Sequence, residues 1–341
     1  MEFGRVRTVD YHTGGEPFRI VPEPPVEIRG DTVAERRVFA IGDRAVDGLR
    51  RVLCFEPRGH ADMYGGFLVP PDDGGARLGV LFWHKDGFST ACGHGTIALG
   101  VWAVRSGLVT APASGIADVV LDVPSGRVTA RVHLSGARVS AVDFVSVPSY
   151  LIDSSVPVTT RRGVVSAAVS YGGAIYAQVE AASVGLAVVP EHHRELIALG
   201  REVKWALDAH PVARHPADDR LSGVYGTIIY ESLGTTADGA VHQRNVTIFA
   251  DGELDRSPCG SGTAARVATL TASGELAPGQ ALVHDSIVGS RFTARATVPP
   301  AGPASPAGTV VPVITGIAYP TGEHVFVVDP EDPLTPGFVL R

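Results

Sequence analysis

The chain has 341 residues, 45% of them hydrophobic and 19% charged, which is enough for about two cored domains and excludes global disorder. Its net charge of −7 argues against a nucleic-acid or anionic-membrane surface, and no apolar run approaches the roughly 18 residues of a membrane helix. The N-terminus MEFGRVRTVD reads as free of a secretory signal, and only three cysteines occur (Cys54, Cys92, Cys259), so a disulfide scaffold is not expected and a cytoplasmic location is.

Strands are predicted first, at Arg5–Val9 and Phe18–Val21, then a helix over Asp43–Leu53. A strand at Gly79–Trp83 leads into a Cys-Gly loop, and a helix runs over Thr96–Ser106. Three alternating strands follow, Val119–Val123, Arg127–His133 and Arg138–Val145. The order then begins again. Strands are predicted at Val164–Ser170 and Ala174–Glu180, and a helix over Glu191–Leu207, where Leu196, Leu199, Val203 and Leu207 recur at helical spacing. A strand at Val246–Ala250, a second Cys-Gly loop and a helix over Thr263–Ser273 complete the pattern. The Pro- and Gly-rich run Pro299–Gly308 reads as an enlarged, mobile hairpin loop. Forty glycines and 25 prolines fit such a turn-rich, strand-rich chain.

The two series are one unit repeated. At the 167-residue separation of Cys92 and Cys259, Phe82 meets Phe249, Gly93 meets Gly260, Gly95 meets Gly262 and Thr96 meets Thr263. Gly14-Gly15 matches Gly172-Gly173, Tyr64-Gly65 matches Tyr225-Gly226, and Arg127 with Thr129–Arg131 matches Arg291 with Thr293–Arg295. These ordered matches imply two related domains, residues 1–155 and 156–317. The tail 318–341 has no partner in the repeat and is expected to pack on the first domain.

Each half carries Cys-Gly-X-Gly-Thr at a helix start. Unpaired amide N–H groups and the positive dipole end lower the pKa of a thiol there, and hold a carboxylate. Two such elements suggest one site between the halves, with a thiol on either side of a single anion. Inverting a stereocentre beside a carboxylate needs that arrangement: a base removes the α-proton from one face, and an acid delivers one to the other. No cofactor is required. Lysine is scarce, Lys85 and Lys204 only, and neither lies in a glycine-rich setting suited to a pyridoxal Schiff base. Cys-X-His at Cys92–His94 is too small a set for zinc. A papain-like nucleophile would leave the second Cys loop unexplained, and no Cys-X-X-Cys redox pair exists. Cys54 reads as a small buried hydrophobe.

The pieces HTGGEPFRI, EPRGHADMYGG, ACGHGTIALG, YGGAIYAQV, YGTI, RNVTIFADGELDRSPCGSGT and DPEDPLTPGF together make the chain resemble the proline racemase family, which includes proline racemases, 4-hydroxyproline 2-epimerases and trans-3-hydroxyproline dehydratases. The resemblance implies an α/β fold like that of diaminopimelate epimerase: two similar domains, each a curled mixed sheet around a central helix, with the active site in the cleft between them. It implies that Cys92 and Cys259 are the catalytic pair, that Gly93, His94, Gly260 and Ser261 hold the substrate carboxylate, and that Asp255 binds the ring nitrogen with His94 nearby. Dehydratases similar to this chain carry Thr at the position of Cys259, so the resemblance favours racemisation or epimerisation over elimination. YGGAIYAQV and the tail look more like the racemase and dehydratase branch than the 4-hydroxyproline branch. Ala91 stands where the resemblance leads one to expect Met before the first Cys, which implies a wider pocket. The expected partner is proline or a hydroxyproline, with no metal, nucleic acid or membrane; a homodimer is left open.

Overall fold

A computed structural model describes residues 3–136, 138–298 and 306–340. The chain forms two compact units, Met1–Val142 with Ile317–Arg341, and Asp143–Gly316. The break at Val142 lies earlier than the sequence placed it, because Tyr150–Thr160 is already a strand of the second unit's sheet.

In the first unit β1 (Arg5–Thr13) turns through Gly14-Gly15 into β2 (Glu16–Val21), antiparallel, with Thr13 opposite Glu16. Both turn residues have positive φ, 60° and 96°, which a two-residue hairpin of this hand requires and glycine supplies without strain. Two helices follow, α1 (Val33–Gly42) and α2 (Arg44–Cys54). The sequence reading lacked α1, although Thr32 and Glu35 form a reciprocal capping box at its start. Next come β3 (Gly65–Val69), β4 (Leu78–His84) and β5 (Gly87–Phe88), then α3 (Gly93–Arg105), β6 (Gly115–Val123) and β7 (Gly126–Ser135). Strand β8 (Arg138–Val145) carries the chain across the boundary.

The second unit contains β9 (Tyr150–Thr160), β10 (Gly163–Tyr171), β11 (Ile175–Glu180), α4 (His193–Asp208), β12 (Val224–Thr235), β13 (Val241–Phe249) and β14 (Glu253–Leu254). Helix α5 (Gly260–Ser273), β15 (Leu282–Ser286), β16 (Arg291–Thr297) and β17 (Val311–Gly316) finish it. Residues 299–305 of the proline-rich run lie outside the described residues. The chain then returns to the first unit as β18 (Ala318–Val327).

Pairing makes the duplication explicit. In the second unit β9 pairs with β10 and β10 with β11, both antiparallel; β11 runs parallel to β12, β12 antiparallel to β13, β13 parallel to β15, and β15 antiparallel to β16. In the first unit β18 pairs with β1, β1 with β2, β2 with β3, β3 with β4, β4 with β6 and β6 with β7 in the same senses. The tail therefore does have a counterpart in the repeat: β18 stands in the first sheet where β9 stands in the second. The sequence comparison missed it because the two strands occupy opposite ends of their units in chain order.

Each sheet curls around one helix. Ten of the 13 residues of α3 are buried, and 11 of the 14 of α5, the signature of helices enclosed on all sides. Gly100 lets α3 lie against β7, where a Cβ would come within 2.7 Å of Ala130. No helix among the described residues is long and apolar enough to cross a membrane.

Candidate active site

The seven residues singled out in the sequence fall into two groups, each assembled at the start of a central helix. Cys92, Gly93 and His94 open α3 in the first unit; Asp255, Cys259, Gly260 and Ser261 precede and open α5 in the second.

In the first unit Cys92 is the N-cap of α3, and its Sγ accepts the Gly95 amide at 3.2 Å. A thiolate there would receive the hydrogen bond that a Ser or Asp cap ordinarily receives. His94 lies beside it, with ring nitrogens 3.5 and 3.6 Å from the sulfur. One ring nitrogen donates to the Pro17 carbonyl, and burial drives the imidazole pKa down to about 3. His94 is thus neutral at physiological pH. It is wedged edge-on against Tyr64, with centroids 4.9 Å apart, and against Phe18 at 5.8 Å. Thr13 donates to the His94 carbonyl at 2.9 Å, tying the β1–β2 turn to the helix start. Gly95 is sterically required: a Cβ would lie 2.4 Å from Phe18 and 2.8 Å from the Cys92 sulfur.

In the second unit the Cys259 Sγ accepts the Gly262 amide at 3.4 Å. Cys259 has φ 60°, one of two described non-glycine residues with positive φ, whereas Cys92 is extended at φ −155°. The carboxylate of Asp255 accepts the Ser257 amide and hydroxyl, and the Ser257 hydroxyl in turn accepts the Cys259 amide at 3.0 Å. Burial raises the Asp255 carboxyl to about 6 against the lowering effect of these hydrogen bonds. Burial, and then the charge of Asp255, push the Cys259 thiol well up. Desolvation outweighs the helix start here, so the protonated thiol is the favoured form of Cys259. The Tyr176 hydroxyl shares a 2.7 Å hydrogen bond with Ser261 Oγ and lies 4.0 Å from the Cys259 sulfur. Tyr225 stacks on Phe249 at 5.7 Å and meets Tyr176 edge-on, forming an aromatic wall.

Several of these neighbours went unremarked in the sequence: Phe18, Ser257 and Tyr176. Ser257 had a legible signal, a Ser two residues after an Asp, which favours a local side-chain turn. Phe18 and Tyr176 had none beyond their place in the repeat, where Phe18 follows Gly15 by three residues and Tyr176 follows Gly173 by three.

Residues 8–339 match the proline racemase family. The chain is 42% identical over 337 residues to a 3-hydroxyproline 2-epimerase of Burkholderia multivorans, covering 98% of both chains. It is 39% identical over 333 residues to a trans-3-hydroxy-L-proline dehydratase of Bacillus thuringiensis subsp. konkukian, covering 98% of this chain and 97% of the other. The crystal structure of a hydroxyproline epimerase from Agrobacterium vitis with bound trans-4-OH-L-proline superposes with a TM-score of 0.89 at 29% identity, over 100% of this chain and 97% of that one.

Proposed function

The chain belongs to the proline racemase family, and on that premise we propose that it is a cofactor-independent isomerase that inverts the α-carbon of a 3-hydroxyproline. The observation that carries this is the matched pair of helix-capping thiols: Cys92 and Cys259 each accept the amide three residues on. The 3-hydroxyl is supported by the two curated relatives, both named for 3-hydroxyproline.

In this reading one sulfur, as thiolate, removes the α-proton, and the other, as thiol, delivers a proton to the opposite face. The sulfurs exchange protonation states in each turnover, so the protein returns to its starting form when the reverse reaction runs. Because burial and Asp255 favour the thiol form of Cys259, Cys259 serves first as the acid and Cys92 as the base. Amides of Gly93, His94, Gly260 and Ser261 stabilise the charge that builds on the substrate carboxylate. Asp255, ionised above about pH 6, takes the ring ammonium, and neutral His94 accepts or donates a hydrogen bond without adding charge.

Dehydration is the second reading, supported by the 39%-identical dehydratase. It needs one base at the α-carbon and a departing 3-hydroxyl, and yields a pyrroline carboxylate and water. Incubation with trans-3-hydroxy-L-proline in deuterated water separates the two. Epimerisation gives the C2 epimer carrying one deuterium at that carbon with the hydroxyl retained. A pyrroline as the main product overturns the isomerase reading.

A further inference from the structure

The duplicated threonines of the two Cys-Gly-X-Gly-Thr elements do different work. In the first unit the Thr96 hydroxyl donates to the carbonyl of Cys92 itself, at 2.8 Å. In the second unit the Thr263 hydroxyl reaches one residue further back, to the Pro258 carbonyl at 3.0 Å. The side-chain amide of Asn245 donates to that same carbonyl at 3.1 Å. A hydroxyl has one hydrogen, so Thr263, having spent it on Pro258, must accept at its 2.9 Å contact with Nδ1 of His284. That fixes His284 as the Nδ1–H tautomer, and burial, which drives its pKa to about 3, keeps it neutral. At the other end of the same peptide group, the Cys259 amide donates to Ser257.

The Pro258–Cys259 peptide is therefore clamped at both its oxygen and its N–H, immediately before a residue held at φ 60°. Left-handed backbone is unfavourable for a β-carbon-bearing residue and persists only where its surroundings over-determine it. Asn245, Thr263 and His284 are all buried. The first unit differs at both points: the residue as far before Cys92 as Asn245 is before Cys259 is Leu78, which has no side-chain amide to donate, and Cys92 is extended.

We propose that Thr263, Asn245 and His284 are positioning residues for the Cys259 thiol: they lock the preceding peptide so that the backbone turns left-handed and the sulfur meets the Gly262 amide. The inference rests on the reading of Cys259 as an acid–base thiol, but its test does not depend on turnover. Thr263→Val keeps the shape and removes both hydrogen bonds; Thr263→Ser keeps both. Iodoacetamide labelling of Cys259, followed by peptide mass spectrometry across pH, reports the thiolate directly, and Cys92 in the same molecule is the control. In Thr263→Val, Cys259 labelling should slow by about tenfold at fixed pH, the order of one lost hydrogen bond to a charged acceptor. Its pH midpoint should move up, while Cys92 labelling stays unchanged and Thr263→Ser restores the wild-type profile. If turnover is measured, kcat should fall with KM nearly constant. An unaltered Cys259 profile, or an equal change at Cys92, overturns the proposal. Should Thr263→Val fail to fold, Asn245→Leu, which installs the first unit's residue, is read by the same criteria.

Discussion

The Asp255 carboxylate takes both the amide and the hydroxyl of Ser257, at 2.8 and 2.7 Å, two residues further along the chain. Even with these donors, burial raises its pKa from 3.8 to about 6. Between those values the folded protein holds a proton that the unfolded chain has released. The group therefore stabilises the fold at low pH, and that contribution is lost as pH rises through 6. Asp255→Asn keeps an oxygen for Ser257 and removes the buried charge. It should melt higher than wild type at pH 7.5, with the gap closing toward pH 4, while turnover collapses. A melting deficit of equal size at both pH values would contradict this account.

His84, His94 and His284 are all fully buried, and burial drives each to a pKa of about 3. Below pH 6.5 the unfolded chain takes up protons that these side chains in the folded protein refuse. Stability is then full above 6.5 and lost as pH falls toward 3, by up to about 1.4 kcal/mol per pH unit for each histidine. Urea unfolding should show a clearly lower midpoint at pH 5.0 than at pH 7.5, with the slope unchanged. Equal midpoints would mean that the histidines are hydrated or protonated in the native protein.

Cys259→Thr leaves Cys92 and both helix starts intact but replaces a thiol by a hydroxyl of far higher pKa. Epimerisation should fall by the ~10²–10⁴-fold typical of a general acid–base group. Dehydration of trans-3-hydroxy-L-proline, which needs a base on one face only, should persist or rise. Cys92→Ser should abolish dehydration of that enantiomer. Dialysis against a chelator should leave every rate unchanged, because the protons move between sulfur and carbon. A folded Cys259→Thr that epimerises at the wild-type rate would remove Cys259 from the mechanism.

At Gly95 a Cβ would meet the Phe18 ring at 2.4 Å and the Cys92 sulfur at 2.8 Å. Phe18 is fully buried and cannot swing away. Gly95→Ala should cost about 1–3 kcal/mol of stability from overpacking and should displace the thiol, with turnover reduced even in the folded fraction. Thermal melts and activity per folded molecule check the two effects separately.

Much of this architecture is written in local signals. The glycines around Cys92 and Cys259 announced two helix starts, and the matched spacing announced two units. The predicted start at Thr96 was late, since the helix already begins at Gly93 and glycine hides that boundary. Helix α1 is legible only in the Thr32–Glu35 pair, because its apolar face is short. Asn245 and His284 could not be read at all. They lie on strands β13 and β15, and only the parallel pairing of those strands beneath α5 brings them to the Pro258 carbonyl and to Thr263. The asymmetry between Thr96 and Thr263 was equally hidden, because identical residues in identical motifs differ only in which carbonyl they reach.

The place of β18 beside β1 imposes an order of assembly. Arg5 pairs with Val327 and Thr13 with Ala318, so a strand made before the second unit waits for one made after it. The pairings that join β9 to β16 lie between Tyr150 and Thr297, and can form while β1 still has an open edge. As the chain emerges from the ribosome, the unit encoded later can close first. The unit encoded earlier keeps an unpaired strand edge exposed until β18 arrives, which makes that edge the stretch most in need of shielding during synthesis.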